Sequence, residues 1–167
     1  MIKFRSFGFS RSAEPVRDLP TETAPAALPT PTTTEHNPNG KKILIVDDDR
    51  FYLRATQSKL RAAGFSVRTA CDGSEAIAAL GDNPADVILL DINFQPDVCH
   101  GGLGSWDGFQ IMTWLRGNPS ARGARFIMVS SSDTLAERER ARKLGAVAYL
   151  QKPVDPAQLI SLVNAEN

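Results

Sequence analysis

Four aliphatic residues in succession, Ile43-Leu44-Ile45-Val46, have no polar residue among them, as in a strand buried on both faces. From Phe51 to Ala63 the apolar positions change to helical spacing (Tyr52 or Leu53, Thr56, Leu60, Ala63), and Gly64 stops the helix. Phe65 to Ala70 is a second strand. Asp72 with Glu75 three residues on resembles a capping box opening a helix over Ser74–Leu80. Val87-Ile88-Leu89-Leu90 is a third buried strand, and a helix over Gly108–Arg116 follows a long loop. Arg125–Val129 is strand four and Thr134–Leu144 a helix closed by Gly145. Val147–Gln151 is strand five and Pro156–Val163 the last helix.

Five strands alternating with five helices imply right-handed crossovers and a parallel sheet covered on both faces, an α/β fold. About 125 residues carry this pattern, too few for an eight-stranded barrel, so the expectation is an open doubly wound sheet. Ahead of it, residues 1–40 hold six of the eleven prolines and six threonines. The stretch Pro15–Gly40 buries too little to offset the entropy of ordering and is expected to be a disordered tail. Ile2, Phe4, Phe7 and Phe9 alternate loosely with Lys3, Arg5 and Arg11. That suits a docking peptide or membrane-surface foot, but a frayed terminus suits it better, since chain ends are usually loose.

Composition narrows the function classes. Lys plus Arg and Asp plus Glu both total 19, so the net charge is zero. This argues against a broad electrostatic grip on nucleic acid. No apolar run reaches the roughly 20 residues of a membrane span. Two cysteines, Cys71 and Cys99, form no disulfide framework and no zinc spacing, which points to a cytoplasmic protein.

In doubly wound sheets ligands bind beyond the carboxyl ends of the strands, where the strand order reverses. Strand one ends in Asp47-Asp48-Asp49, strand three in Asp91 and strand four in Ser130, and Lys152 follows strand five. Carboxylates so close raise one another's pKa unless positive charge lies between them. Lys152 supplies one charge, and a divalent metal is the natural second. An all-oxygen ligand set points to Mg²⁺. A carboxylate held this way can attack a phosphoryl group and carry it as an aspartyl phosphate, with Lys152 and Ser130 contacting the phosphoryl oxygens.

Ile43-Leu44-Ile45-Val46-Asp47-Asp48-Asp49, Val87-Ile88-Leu89-Leu90-Asp91, Ile127-Met128-Val129-Ser130 and Lys152-Pro153 together resemble the receiver domain of bacterial two-component response regulators. The resemblance covers residues 41 to about 164, and the receiver domain is set at 41–167. It implies a flavodoxin-like sheet of order 2-1-3-4-5 and Asp91 as phosphoacceptor. Asp47, Asp48 and Asp91 are then Mg²⁺ ligands, joined by the backbone carbonyl of Asn93. Ser130 matches the switch hydroxyl, Lys152 the phosphate-contacting lysine, and Pro153 follows a cis bond. Tyr149 matches the switch aromatic, although an aromatic on strand five also suits plain strand surface.

The implied function is a phosphorylation-dependent switch rather than a turnover enzyme. It would be loaded by a histidine kinase or phosphotransfer protein, and read by a partner protein on the face of helix four, strand five and helix five. No second periodic segment follows helix five, so no output domain is expected. Helix four carries Arg138, Arg140, Arg142 and Lys143 against Glu137 and Glu139, which suits a docking face or simply a solvated one.

Some features depart from the family. Asp107-Gly108 arrive after a loop about nine residues longer than usual. Its glycines, Gly101, Gly102 and Gly104, suit a lid over the site with Trp106 at its edge, and suit a tolerated insertion as well. Asp97, Cys99 and His100 in that loop make only a weak metal set. Ser131 stands where the family mostly has Ala, which bears on the dephosphorylation rate. Two alternatives remain: a degenerate receiver that only binds, and a phosphatase resembling the haloacid dehalogenases. The second would use Asp47 to Phe51, but Phe51 replaces its usual Thr or Val.

Overall fold

A computed structural model describes residues 40–81, 83–94 and 107–165. Strands and helices alternate along them: β1 (Lys42–Val46), α1 (Arg50–Ala62), β2 (Ser66–Ala70), α2 (Gly73–Leu80), β3 (Val87–Asp91), α3 (Gly108–Arg116), a short 3-10 turn (Pro119–Ala121), β4 (Arg125–Ser130), α4 (Leu135–Lys143), β5 (Ala148–Gln151) and α5 (Pro156–Asn164). All strand pairs are parallel, in the order β2-β1-β3-β4-β5. The expected α/β sheet is therefore the one formed. The expected tail and the Pro96–Trp106 loop, with Asp97, Cys99, His100 and Trp106, lie outside the described residues.

Side-chain alternation along the strands builds two cores. Leu44, Val46, Ile88, Leu90, Phe126 and Met128 face one side, where α2, α3 and α4 cover them with Leu80, Phe109, Met112, Leu115 and Ala141. Ile43, Ile45, Val87, Leu89 and Ile127 face the other, under Leu53 and Leu60 of α1 and Leu159 and Val163 of α5. Every residue of β3 is buried, which explains its unbroken apolar run. Each of these large side chains contributes about 1.5–3 kcal/mol by leaving water.

Helix ends follow local chemistry, with some differences from the sequence expectation. Asp49 caps α1, its Oδ1 accepting from Phe51 N and Tyr52 N at 2.8 and 3.1 Å. It is therefore not a third site carboxylate of the first strand. Asp72 accepts from Glu75 N at 2.7 Å, but Glu75 returns to Cys71 N instead of completing the box on Asp72. The complete box is at α3, where Asp107 and Gln110 bond reciprocally. The 3-10 turn after α3 was not expected from the sequence. Gly64 (φ 88°) and Gly145 (φ 85°) end α1 and α4 in the left-handed region, as expected of these stops.

Candidate functional site

β1 and β3 are neighbours in register, Val46 opposite Leu90, so the next residues, Asp47 and Asp91, stand side by side. Here the sheet order reverses: from β1 the chain goes to β2 on one side, and from β3 to β4 on the other. Asp47, Asp48 and Asp91 each offer a carboxylate oxygen within a common 4.8 Å. Asp47 and Asp91 are buried, and Asp48 is half-buried. Lys152 reaches the pair from the β5–α5 turn, its Nζ 2.7 Å from Asp47 Oδ2 and 3.3 Å from Asp91 Oδ2. That turn starts with the expected cis peptide between Lys152 and Pro153. It is tied to β4 by Lys152 N donating to Ser130 O at 2.7 Å.

Burial dominates the charge state of these groups. It pushes the Asp47 carboxyl up to about 6, against the pull of Lys152 and with a push from Asp91. It raises Asp91 as well, again against Lys152. Burial alone would lower Lys152, but the two carboxylates more than reverse this and raise it. Three carboxylates facing one ammonium leave net negative charge in a cleft lined by oxygen. The donor set therefore fits a hard divalent cation such as Mg²⁺.

A measurable consequence follows. A carboxyl raised on folding makes the native state bind more protons than the unfolded chain between the two pKa values, so stability falls as pH rises through that window. Without Mg²⁺, unfolding in urea is expected to show about 1.3 kcal/mol less stability near pH 7 than near pH 5 from Asp47, with Asp91 acting in the same direction. Mg²⁺ should restore the loss at pH 7, and Asp47→Asn should flatten the slope. A pH-independent midpoint in the wild type would contradict this account.

Ser130, fully buried, directs its hydroxyl to Asn93 Oδ1 at 2.8 Å. It also accepts from Ser132 N at 3.1 Å. Asn93, expected to act through its backbone carbonyl, thus also engages the site region through its side chain. Ser131 is exposed. Tyr149 is half-buried, with its hydroxyl 2.9 Å from Ser132 O. On α4 the basic side chains are partly committed. Arg140 pairs with Asp107 at 2.9 Å and lies over the Phe109 ring at 4.2 Å. Arg138 pairs with Asp133 and covers the Tyr149 ring at 4.9 Å. Such exposed pairs are screened by solvent and add little to stability.

Three participants escaped the sequence reading. Tyr52 lies with its ring 4.4 Å from Lys152 Nζ and forms a wall of the ammonium site. The ambiguity between Tyr52 and Leu53 held the signal: Leu53 takes the core, and Tyr52 is left beside the cleft. The Asn93 amide had no signal beyond its nearness to Asp91. Glu137 looked like ordinary helix surface, yet it accepts from Thr134 Oγ1 and Tyr149 Oη at 2.9 and 3.1 Å.

A doubly wound parallel sheet with an acidic cleft and a lysine at its switch point defines a class of proteins whose chemistry takes place beyond the strand ends. Within that class, the model of the response regulator receiver domain matches residues 43–164. The chain belongs to that family, the signalling switches of two-component systems. Among curated relatives, protein PilG of Pseudomonas aeruginosa is 29% identical over 131 residues, covering 78% of this chain and 90% of its own. The transcriptional regulatory protein GltR of the same species is 33% identical over 127 residues, covering 76% of this chain but only 49% of its own. The chain thus spans about half the length of that regulator. Among solved structures, the chemotaxis protein CheY4 of Vibrio cholerae superposes with a TM-score of 0.64 at 26% identity, covering 74% of this chain and 95% of that one. A CheY-like receiver from Methanospirillum hungatei gives 0.62 at 29% identity, covering 74% and 90%. Receiver domains bind Mg²⁺ through acidic residues, and response regulators work with histidine kinases and downstream proteins. Among the described residues no helix is long and apolar enough to cross a membrane.

Proposed function

We propose that this chain is a phosphorylation-dependent switch, with Asp91 accepting a phosphoryl group from a histidine kinase or phosphotransfer protein. The observation that carries the reading is the meeting of Asp47, Asp48, Asp91 and Lys152 at the switch point of the sheet. Asp47, Asp48, Asp91 and the Asn93 carbonyl would hold Mg²⁺, which when bound supplies positive charge against the phosphoryl oxygens. An Asp91 carboxylate oxygen forms the new bond to phosphorus, and the donor leaves with the electron pair of the bond that breaks. Lys152 carries a raised pKa, so it stays an ammonium and neutralises an incoming phosphoryl oxygen. Ser130 donates to another oxygen once its hydroxyl turns from Asn93, and Tyr149 serves as the switch aromatic beside it. The signal leaves by protein–protein contact on α4, β5 and α5, from a receiver set at residues 41–167.

The test is intact mass after incubation with acetyl phosphate, with and without Mg²⁺. The expected result is a gain of one alkali-labile phosphoryl group that requires Mg²⁺. No gain would shift the reading to a binding-only receiver, and repeated turnover of a phosphate ester would shift it to a phosphatase.

A further inference from the structure

The turn between β4 and α4 carries more polar contacts than seating the helix requires. Thr134 Oγ1 already caps α4 by accepting from Glu137 N at 3.2 Å. The Glu137 side chain nevertheless folds back over the turn, and a single oxygen, Oε2, gathers the hydroxyls of Ser132, Thr134 and Tyr149. The Tyr149 hydroxyl lies between that oxygen and Ser132 O, sharing its one proton between two acceptors. Ser132 links this cluster to the site: its backbone N–H donates to Ser130 Oγ while its hydroxyl donates to Glu137. Ser130 in turn gives its proton to Asn93. The resulting path runs from Asn93 through Ser130 and Ser132 to Glu137 and Tyr149, over residues spread between positions 93 and 149.

A carboxylate accepting three hydroxyls is the strongest node in such a path, because charge-assisted bonds exceed neutral ones. The Ser132 hydroxyl first, with those of Thr134 and Tyr149, holds the Glu137 carboxyl below its ordinary range, so it stays ionised at neutral pH. We propose that Glu137 is a positioning residue for phosphoryl transfer to Asp91. Through Ser132 it keeps Ser130 on Asn93, and through the same oxygen it holds Tyr149 in place before any phosphoryl group arrives. Turning the Ser130 hydroxyl toward Asp91 then strains the Ser132 link, and the first turn of α4 receives the displacement directly. This rests on the roles assigned to Asp91 and Ser130 above.

The chain has two tyrosines, Tyr52 and Tyr149, so 3-fluorotyrosine labelling gives two fluorine resonances, assigned with Tyr52→Phe. Glu137→Gln and Ser132→Ala are compared with wild type at rest and after acetyl phosphate with Mg²⁺, with folding checked by circular dichroism. Loss of one charge-assisted restraint is expected to speed phosphoryl uptake about five- to tenfold. In both variants the resting Tyr149 resonance should move, and its further shift on phosphorylation should shrink. A purely structural role would lower the urea midpoint and leave the uptake rate of folded protein unchanged. Wild-type rates with an unmoved Tyr149 resonance in both variants would overturn the proposal. A wild type that takes up no phosphoryl group would instead remove the assignment of Asp91 on which it rests. The resting resonance still reports the Glu137 contacts in that case.

Discussion

Asp91→Asn is expected to take up no phosphoryl group from acetyl phosphate with Mg²⁺, and at the same time to resist urea better than wild type without the metal. The first outcome follows from nucleophilicity: an amide oxygen has neither the charge nor the basicity of a carboxylate. Asp47, the other buried carboxylate of the cluster, is restrained at both oxygens. Asp47 Oδ2 is held by Lys152 at 2.7 Å, and its Oδ1 accepts from Asp49 N at 3.0 Å. Asp91 Oδ1 accepts from Ile92 N at 2.9 Å, while Oδ2 stands off Lys152 at 3.3 Å and is the less restrained oxygen. The second outcome follows from the crowded carboxylates. Asparagine keeps the shape of the residue and removes one buried charge from a cluster within 4.8 Å, which should add about 1–2 kcal/mol of stability near pH 7. Lys152 keeps Asp47 as its partner, so no buried ammonium is left alone. Intact mass and urea midpoints check both outcomes together. Lost uptake in a variant at least as stable as wild type separates chemistry from unfolding. Uptake that survives in Asp91→Asn would mean another residue carries the phosphoryl group.

The sheet and its acidic edge were legible in the sequence because both arise from short-range patterns. Buried runs such as Ile43–Val46 and Val87–Leu90 mark strands without reference to anything distant, and the residue that ends each run must lie at the strand's edge. Asp47, Asp91, Ser130 and Lys152 were found by that counting alone. What the counting cannot see is the direction of a side chain after the run ends. Asp48 and Asp49 are adjacent and identical in type, yet one joins the carboxylate cluster and the other caps α1. The difference lies in where the backbone turns. Glu75 shows the same limit: its spacing suits a capping box, but its carboxylate reaches one residue further back, to Cys71. Asn93 with Ser130, and Glu137 with Tyr149, meet only because β3, β4, α4 and β5 are already assembled. Their partners are 37 and 12 positions away, beyond any local pattern.

Gly108→Ala tests a place where the backbone of the site is held by close contact. Gly108 is the first residue of α3 and is buried against the end of β3, its N–H donating to Ile92 O at 3.0 Å. A Cβ there would collide with the carbonyl oxygen of Asp91 and lie 2.7 Å from the Cα of Ile92. These are backbone atoms of the buried strand β3 and of the buried residue that follows it, so neither can turn aside as a flexible side chain would. The helix must move instead, and Phe109, Ile111, Met112 and Leu115 leave their places in the core with it. Overpacking against rigid backbone typically costs about 1–3 kcal/mol, and the added displacement of α3 should place this substitution at or above the upper end. Displacement of α3 breaks the Gly108 N–H bond to Ile92 O and frees the chain just after Asp91, so Mg²⁺-dependent phosphoryl uptake should fall by about tenfold in the fraction that stays folded. Gly123→Ala is the control. Gly123 also needs glycine, at φ 86°, but its Cβ would meet nothing within 4 Å. It should cost only the left-handed strain of about 1–2 kcal/mol and leave uptake intact. Gly108→Ala behaving like Gly123→Ala in both urea midpoint and uptake would show that α3 and β3 are not so closely joined, and that Asp91 owes its position to the strand alone.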